Sequence, residues 1–148
     1  MIQLWIDTIP VSWSAAIKGK HCFYDKKYKE KEIARWQLKT QYNGEIITGF
    51  VSIEFIFYVP IPKSTSKKGR QMRIEGAILP TTPDTTNMQK LYEDCLQGIV
   101  IENDRLSNKI TSVRYYSDKP GISIIVRSWE EETKREPEMV PQKGWIKV

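Results

Sequence analysis

The stretch from Thr81 to Lys109 constrains the fold more than any other part of the chain, because its apolar residues repeat with the period of a helix. Thr85 or Thr86 can accept the first free N–H groups of this helix, and Gly98 stands where a left-handed residue ends one. A helix with one apolar face must pack that face on a core. The residues of the predicted buried face are Met88, Leu91, Tyr92, Cys95 and Leu96.

Polar side chains around the same helix suggest a chemical site. Asp84 comes just before the helix and Asp104 just after the next predicted strand, and a strand returning beside the helix can bring the two carboxylates together. Asn87, Lys90 and Asp94 share the helix face opposite the core. Two acids with a lysine one turn away are typical of a site that cleaves phosphodiesters with a divalent metal. The alternative interpretation is structural: Asp84 caps a turn, and Lys90 pairs with Asp94 on the surface.

Period-two alternation and turn residues predict the remaining strands, with the longest one central in the sheet. Together with two main helices, these strands predict one α+β domain over residues 1–129. Its mixed sheet has about five strands, and the element order is roughly β-α-β-β-α-β-β. Residues 130–148 are charged and contain proline, which predicts an extended C-terminal tail. The predicted strands are Ile2–Ile6, Glu45–Tyr58, Glu75–Leu79 and Ile99–Ile101, followed by a hairpin of Lys109–Tyr116 and Gly121–Trp129.

Two basic segments are candidates for contact with a polyanion. The predicted helix Asp25–Tyr42 carries lysines around an approximate core stripe, a pattern that fits either a solvated face or a DNA-contacting one. Its predicted stripe is Tyr28, Ile33, Trp36 and Thr40. The segment Lys63–Arg73 predicts either a mobile loop suited to phosphates or an ordinary solvated loop. The residues predicted to contact DNA are Lys63, Lys67, Lys68, Arg70, Arg73, Lys90 and Arg105.

Composition narrows the class of protein. A chain of 148 residues suits one domain, and its net charge of +5 is a mild sign of a polyanionic partner. It has no apolar run of the ~20 residues that a membrane span needs and no visible signal peptide, so we expect a cytoplasmic protein without a membrane partner. Cys22 and Cys95 lack ligand-like spacing, which predicts reduced thiols. His21 is the only histidine, and we interpret it as an exposed loop residue rather than a catalytic one.

The central stretch also carries an ordered motif, followed by an acidic pair and a Lys-Pro-Gly turn. Its residues are Pro83, Asp84, Asn87, Lys90, Asp94, Leu96 and Gly98, then Asn103-Asp104 and Lys119-Pro120-Gly121. This motif resembles that of the RusA family of crossover-junction endodeoxyribonucleases, the Holliday junction resolvases. The resemblance implies a RusA-like fold, aspartates that bind Mg²⁺ with Mn²⁺ as a substitute, and a homodimer. It also implies that the substrate is a four-way DNA junction, nicked symmetrically during recombination and repair.

The same resemblance assigns roles to residues, and two positions depart from the family pattern. Thr86 stands at the second motif aspartate and Asn103 at the first residue of the acidic pair. A neutral hydroxyl is a poor ligand for a hard cation, so Thr86 lowers the expected metal affinity, and Glu102 is an alternative ligand. The implied roles are catalysis for Asp84, Lys90 and Asp104, metal binding for Asp84, Asp104 and position 86, and support for Asn87, Asp94 and Asn103.

Three hypotheses follow from these residues. The first is a magnesium-dependent endonuclease that resolves junctions. The second is a family member that binds branched DNA but cuts it poorly, because Thr86 has replaced an acid. The third is a small basic protein whose motif is a coincidence.

Overall fold

The computed structural model describes residues 1–15, 17–20 and 22–135, so His21 and residues 136–148 of the predicted tail lie outside it. The elements in chain order are β1 (Ile2–Ile6), β2 (Ile17–Lys18), β3 (Phe23–Tyr24), α1 (Tyr28–Gln41), β4 (Val51–Pro60), α2 (Lys67–Ile74), α3 (Thr85–Leu96), a 3₁₀ turn (Asp104–Leu106), β5 (Ser107–Ser117), β6 (Gly121–Ser128) and α4 (Trp129–Thr133). The predicted α+β class is confirmed, with four strands in the main sheet rather than five. Among the described helices, none has the length and apolar character needed to cross a membrane.

The main sheet has the strand order β1-β6-β4-β5, and β2 pairs with β3 in a separate small ladder. β4 pairs antiparallel with β6 and parallel with β5. The predicted hairpin is therefore wrong in its pairing, because β4 lies between the two strands that the short turn joins. β4 is the longest apolar strand with a fully buried face, and an interior position gives it a hydrogen-bonded neighbour on each side. The predicted central position of β4 is confirmed.

One face of the sheet carries the core. Period-two alternation in the predicted strand Glu45–Tyr58 puts four apolar residues on one face, and each is at most 1% exposed; these are Val51, Ile53, Phe55 and Phe57. They form one cluster with the buried residues of α1 and α3, and all five apolar residues predicted to face the core on α3 are buried. Burial raises the pKa of the Cys95 thiol to about 12, and neither Cys22 nor Cys95 is in a disulfide, as predicted.

Helix α1 buries a different face from the predicted one. Its buried residues are Ala34 and Leu38, whereas Ile33 is 52% exposed and Trp36 67% exposed. Tyr28, also predicted to face the core, is exposed as well. The small side chain of Ala34 allows close packing that the larger apolar residues would prevent.

Polar contacts fix the orientation of α1. The side-chain amide of Gln41 donates to the carbonyl of Trp5 at 2.6 Å and accepts its N–H at 2.9 Å. The Arg35 guanidinium donates to the carbonyls of Cys95 at 3.1 Å and Gln97 at 2.9 Å, at the end of α3. Such bonds to backbone groups leave no periodic apolar signal, so the pattern of large apolar residues indicated the wrong face.

Three further segments differ from their predicted conformation. The basic segment contains helix α2 rather than a mobile loop, because the hydroxyl of Ser66 caps it by accepting the N–H of Gly69 at 3.1 Å. The predicted strand Glu75–Leu79 is a turn. The predicted strand Ile99–Ile101 is also a turn, whose N–H groups bond back to the carbonyl of Leu96.

The chain after β6 begins with a short helix instead of an extended tail. Ser128 and Glu131 form a reciprocal capping box at the start of α4. Glu132, with a side chain only 8% exposed, lies 3.0 Å from both Lys109 and Arg135. Burial alone would raise the pKa of Glu132, but hydrogen bonds from Lys109 and Arg135 lower it to about 2. The domain boundary placed after residue 129 stays a prediction.

Candidate active site

The acidic residue at the start of α3 caps its own helix. Asp84 Oδ1 accepts the N–H of Thr86 at 2.8 Å and that of Asn87 at 3.4 Å. The cap is therefore Asp84 rather than Thr85 or Thr86, because a carboxylate both accepts these bonds and complements the positive end of the helix. The side chain is exposed, and its Oδ2 atom takes no part in either bond.

The edge strand β5 positions the loop that carries Asp84. The Arg114 guanidinium donates to the carbonyl of Pro83 at 2.7 Å, immediately before Asp84. On the same strand face, the Ser112 hydroxyl donates to Gln89 Oε1 at 2.7 Å. These two bonds fasten both the entry loop and the middle of α3 to β5, so the helix is held at a fixed position along the strand.

The lysine of the predicted site is held by an aromatic ring. Lys90 Nζ lies 3.5 Å from the centroid of the Trp13 ring, well within the range of a cation–π contact. The backbone N–H of Trp13 donates to the carbonyl of Asn87 at 2.9 Å, and the backbone N–H of Val11 donates to the Tyr92 hydroxyl at 3.1 Å. The loop before β2 is thus fastened to α3, and it places the Lys90 ammonium at the helix surface.

The structure gives Asp94 other partners than Lys90. Its carboxylate lies 4.0 Å from Lys31 Nζ on α1 and accepts the side-chain N–H of Gln97 at 3.3 Å. Both Asp94 and Lys31 are partly exposed, so this contact contributes little to stability. Trp13, rather than Asp94, is the group that restrains Lys90.

A half-buried glutamate on α3, Glu93, experiences the negative charge of Asp104. Burial, repulsion from Asp104 and repulsion from Asp94 raise the pKa of Glu93 to about 7. Thr86, Lys90 and Glu93 occupy i, i+4 and i+7 positions, so they form one stripe along α3. Glu93 is absent from the residues predicted from sequence, although its i+3 spacing from Lys90 was a signal that an acid could join the site.

The loop after α3 presents Asp104 on a capped turn. Asn103 Oδ1 accepts the N–H of Arg105 at 3.0 Å and so begins the 3₁₀ turn. The asparagine thus performs the capping that an aspartate would perform at this position. Glu102 is tied by its N–H to the carbonyl of Ile47 at 3.1 Å, and the side chains of Glu102, Asp104 and Arg105 are exposed.

Apart from Lys90, the residues predicted to contact DNA lie near the two ends of β5. Helix α2 packs against β5, as α3 does, so the basic helix is a neighbour of the candidate site. Arg73 is half-buried, with its guanidinium carbon 5.3 Å from the centroid of the Tyr116 ring. Arg105 follows Asp104 at the opposite end of the strand. The exposed basic residues in and before α2 are Lys63, Lys67, Lys68 and Arg70.

The acids of the site suit magnesium only in part. Within the described residues, no three His, Cys, Asp or Glu side chains gather into a group that could hold a metal ion. Glu93 lies about 13 Å beyond Asp84 along the helix axis, so one cation cannot bridge these two directly. Mg²⁺ commonly uses one or two carboxylates and completes its shell with water and substrate phosphate. Glu93 and Asp104 fit that requirement, because a cation would relieve the repulsion between them.

Comparison with known proteins identifies the family. Residues 12–127 match the family model described as Endodeoxyribonuclease RusA. The chain belongs to the RusA endodeoxyribonuclease family. The match includes Trp13, all of α3 and Asp104. The RusA resemblance is confirmed, and the hypothesis of a coincidental motif is wrong.

A curated relative supports a narrower region of similarity. The "Uncharacterized protein YqaN" of Bacillus subtilis (strain 168) is 34% identical over 85 residues, which cover 55% of this chain and 60% of the relative. The RusA-family chain thus spans less than two thirds of that relative's length.

Proposed function

We propose that this RusA-family chain is a magnesium-dependent endonuclease that resolves four-way (Holliday) DNA junctions by symmetric nicking in recombination and repair. The observation that carries the proposal is the stripe on α3, where Lys90 is held over Trp13 and Glu93 is near enough to Asp104 for the two carboxylates to repel each other. A restrained ammonium next to paired carboxylates on an exposed helix face suits the charge of a phosphodiester. Membership of the endodeoxyribonuclease family supports the reaction class.

In the proposed mechanism, the acids hold the metal ion and the lysine stabilises the negative charge on the phosphate. Asp104 and Glu93 would hold Mg²⁺, whereas Asp84, which the family resemblance implies as a metal ligand, is too far from Glu93 to contact the same cation directly and would act through a coordinated water. When bound, Mg²⁺ supplies a Lewis acid that polarises a phosphate oxygen and lowers the pKa of a coordinated water. Lys90 offsets the negative charge that develops on the phosphate, and the Trp13 ring keeps its ammonium in place. Hydrolysis adds water across the phosphodiester and leaves 5′-phosphate and 3′-hydroxyl ends.

The proposed assembly is a homodimer acting in the cytoplasm. A four-way junction has two-fold symmetry, and two identical sites related by the same symmetry can nick opposing strands. The exposed lysines of α2 supply sequence-independent contacts to the phosphates beside the cut. Sedimentation that gives a monomer at micromolar concentration, with and without junction DNA, would count against this assembly.

Cleavage of a labelled synthetic four-way junction, beside linear duplex, tests the proposal. We expect paired nicks on the junction alone, with Mg²⁺ or Mn²⁺ and not with EDTA. Glu93→Gln should lower the cleavage rate at least about 100-fold, while its binding to the junction in EDTA persists. Glu45→Gln, at an exposed site, should cleave at the normal rate. Absence of cleavage with either metal would refute the enzymatic proposal.

A second candidate function is a RusA-family protein that binds branched DNA without efficient cleavage. The observation that favours it is Thr86, whose neutral side chain stands on the stripe of Lys90 and Glu93 where an acid would add a further hard ligand. If Thr86→Asp raises cleavage by orders of magnitude at unchanged junction affinity, the natural chain is primarily a binder. Unchanged cleavage would show that the existing carboxylates already suffice.

A further inference from the structure

Three aromatic side chains form a row across the sheet face opposite the core. Tyr58 on β4 is directly paired with Tyr115 on β5 and with Gly121 on β6, so these residues point to the same side of the sheet. Trp5 on β1 reaches across Gly121, and the centroids of the Trp5 and Tyr58 rings are 5.8 Å apart. The aromatic row, Trp5, Tyr58 and Tyr115, therefore runs from one edge strand to the other.

Glycine is required at the position that the row crosses. A Cβ on Gly121 would lie 2.0 Å from a ring carbon of Trp5, closer than any real contact. Any side chain there would push the indole away from Tyr58 and divide the row. The sequence thus leaves one position of β6 without a side chain, and the ring of a neighbouring strand fills the space.

Most of this sheet face has no covering layer among the described residues. Helices α1 and α3 share the buried cluster of the opposite face, and α4 packs against β4 and β6 near Glu54. At the other end of the face, Val113 and Tyr115 are each 42% exposed. A contiguous aromatic surface of this kind on a charged chain indicates a binding surface.

Cationic groups stand beside the rings. Lys119 Nζ lies 5.9 Å from the centroid of the Trp5 ring, in the turn between β5 and β6. At the other end, Arg73, whose guanidinium lies over the Tyr116 ring, lines with it a groove of about 300 Å³ at the end of β5. Tyr58 and Tyr115 belong to the lining of the same groove. Rings alternating with cations are the composition that single-stranded nucleic acids select, because bases stack on the rings and phosphates contact the cations.

The acids in the groove indicate which part of a nucleotide enters it. Glu75 and Asp118 line the groove together with Arg73. Their carboxylates would repel a phosphate, but they can accept hydrogen bonds from the amino groups of a base. The groove therefore suits a base edge, while Lys119 and the lysines of α2 suit the backbone.

We propose that the aromatic row and its groove bind unpaired nucleotides, a proposal that rests on DNA being the partner of the proposed function. Duplex bases are stacked on each other and cannot lie on these rings, so the surface selects strands opened at a branch point. Tyr115 directly follows Arg114, which holds the loop of Asp84 from the other side of β5. A strand that leaves the candidate active site around β5, the last strand of the sheet, would arrive at the row.

Fluorescence of 2-aminopurine in a short single strand, in the matching duplex and at the centre of a junction tests this proposal with the full chain. We expect quenching on binding to the single strand and the junction, and none with duplex. Tyr115→Ala should weaken single-strand binding about ten-fold and abolish the quenching. Tyr115→Phe should retain both the single-strand affinity and the quenching of the natural chain. Tyr28→Ala, at an exposed tyrosine on α1, should also behave as the natural chain.

Two results would overturn the proposal. One is single-strand affinity and quenching in Tyr115→Ala equal to those of the natural chain. The other is sedimentation showing that Tyr115→Ala dissociates an oligomer which Tyr28→Ala still forms, because the row would then be covered by a second copy of this chain. Metal-dependent junction cleavage, measured on the same samples, separates the two proposals: cleavage without quenching refutes only the row, and quenching without cleavage refutes only the nuclease.

Discussion

Replacing Asp84 separates its capping of α3 from its proposed part in catalysis. Asparagine keeps an Oδ1 acceptor for the N–H of Thr86, at 2.8 Å in the structure, and loses only the charge at the helix end. We therefore expect Asp84→Asn to lower the free energy of unfolding by about 0.5 kcal/mol. Alanine removes the cap as well, which adds about 1 kcal/mol. For a chain of this length the two variants should differ in Tm by about 3 °C.

Activity should follow a different order from stability. If the Asp84 carboxylate acts on the metal or the phosphate, both variants lose its charge and should cleave a four-way junction at least about 100-fold more slowly than the natural chain. Thermal unfolding and single-turnover junction cleavage, measured on the same preparations below the lower Tm, give the two quantities. Junction affinity in EDTA serves as the control for folding and DNA contact.

The result that refutes this reasoning is near-normal cleavage by Asp84→Asn. Such a protein would show that the carboxylate serves only as the N-cap of α3, and it would leave Asp104 and Glu93 as the acids of the site. Equal stability of the asparagine and alanine variants would contradict the capping argument instead, because the Oδ1 bonds would then contribute nothing measurable.

Two further predictions concern stability. The pKa of Glu132 is lowered from 4.5 to about 2 in the fold, so its ion pairs stabilise the protein above pH 4.5 and are lost as the pH falls towards 2. Glu132→Gln should therefore lower the free energy of unfolding, measured in urea, by about 2 kcal/mol at pH 7 and make it depend less on acid pH. Glu130→Gln, at a side chain 79% exposed, should change the same quantity by less than about 0.5 kcal/mol. Equal effects of the two variants would contradict the stabilising ion pairs of Glu132 with Lys109 and Arg135. Gly121→Ala should lower the free energy of unfolding by about 1–3 kcal/mol, because the Trp5 ring must move. Gly49→Ala should not have this destabilising effect, because a Cβ there meets nothing within 4 Å. Equal Tm values for the two variants would rule out the close approach of Trp5 to Gly121.

Local patterns were sufficient where an element has one strongly apolar face. The period of α3 predicted all of its buried residues, and the alternation of β4 predicted its inward face. The motif around Asp84 and Lys90 was sufficient for the family, which the match over residues 12–127 confirms. These features succeed because a helix or strand that buries a whole face leaves a regular record of that burial in the sequence.

The same reasoning failed where polar or small residues decide the packing. Helix α1 turns Ala34 and Leu38 to the core and leaves Trp36 exposed, because Arg35 and Gln41 bind backbone groups of other elements. The segment Ile99–Ile101 was predicted to be a strand, yet hydrogen bonds from its N–H groups to the carbonyl of Leu96 fold it into a turn. Side-chain bonds to distant backbone groups have no periodicity, so they cannot be read from spacing.

The sequence by itself determined the α+β class, the core face of α3 and the family to which the chain belongs. Only the tertiary structure decided that β4 separates β5 from β6, that Trp13 holds Lys90, and that Glu93 comes within the electrostatic influence of Asp104. Each of these pairs joins segments whose contact depends on how the whole sheet and its helices pack together. Local propensity acts within a few residues, whereas such pairings are fixed by burial summed over the entire core.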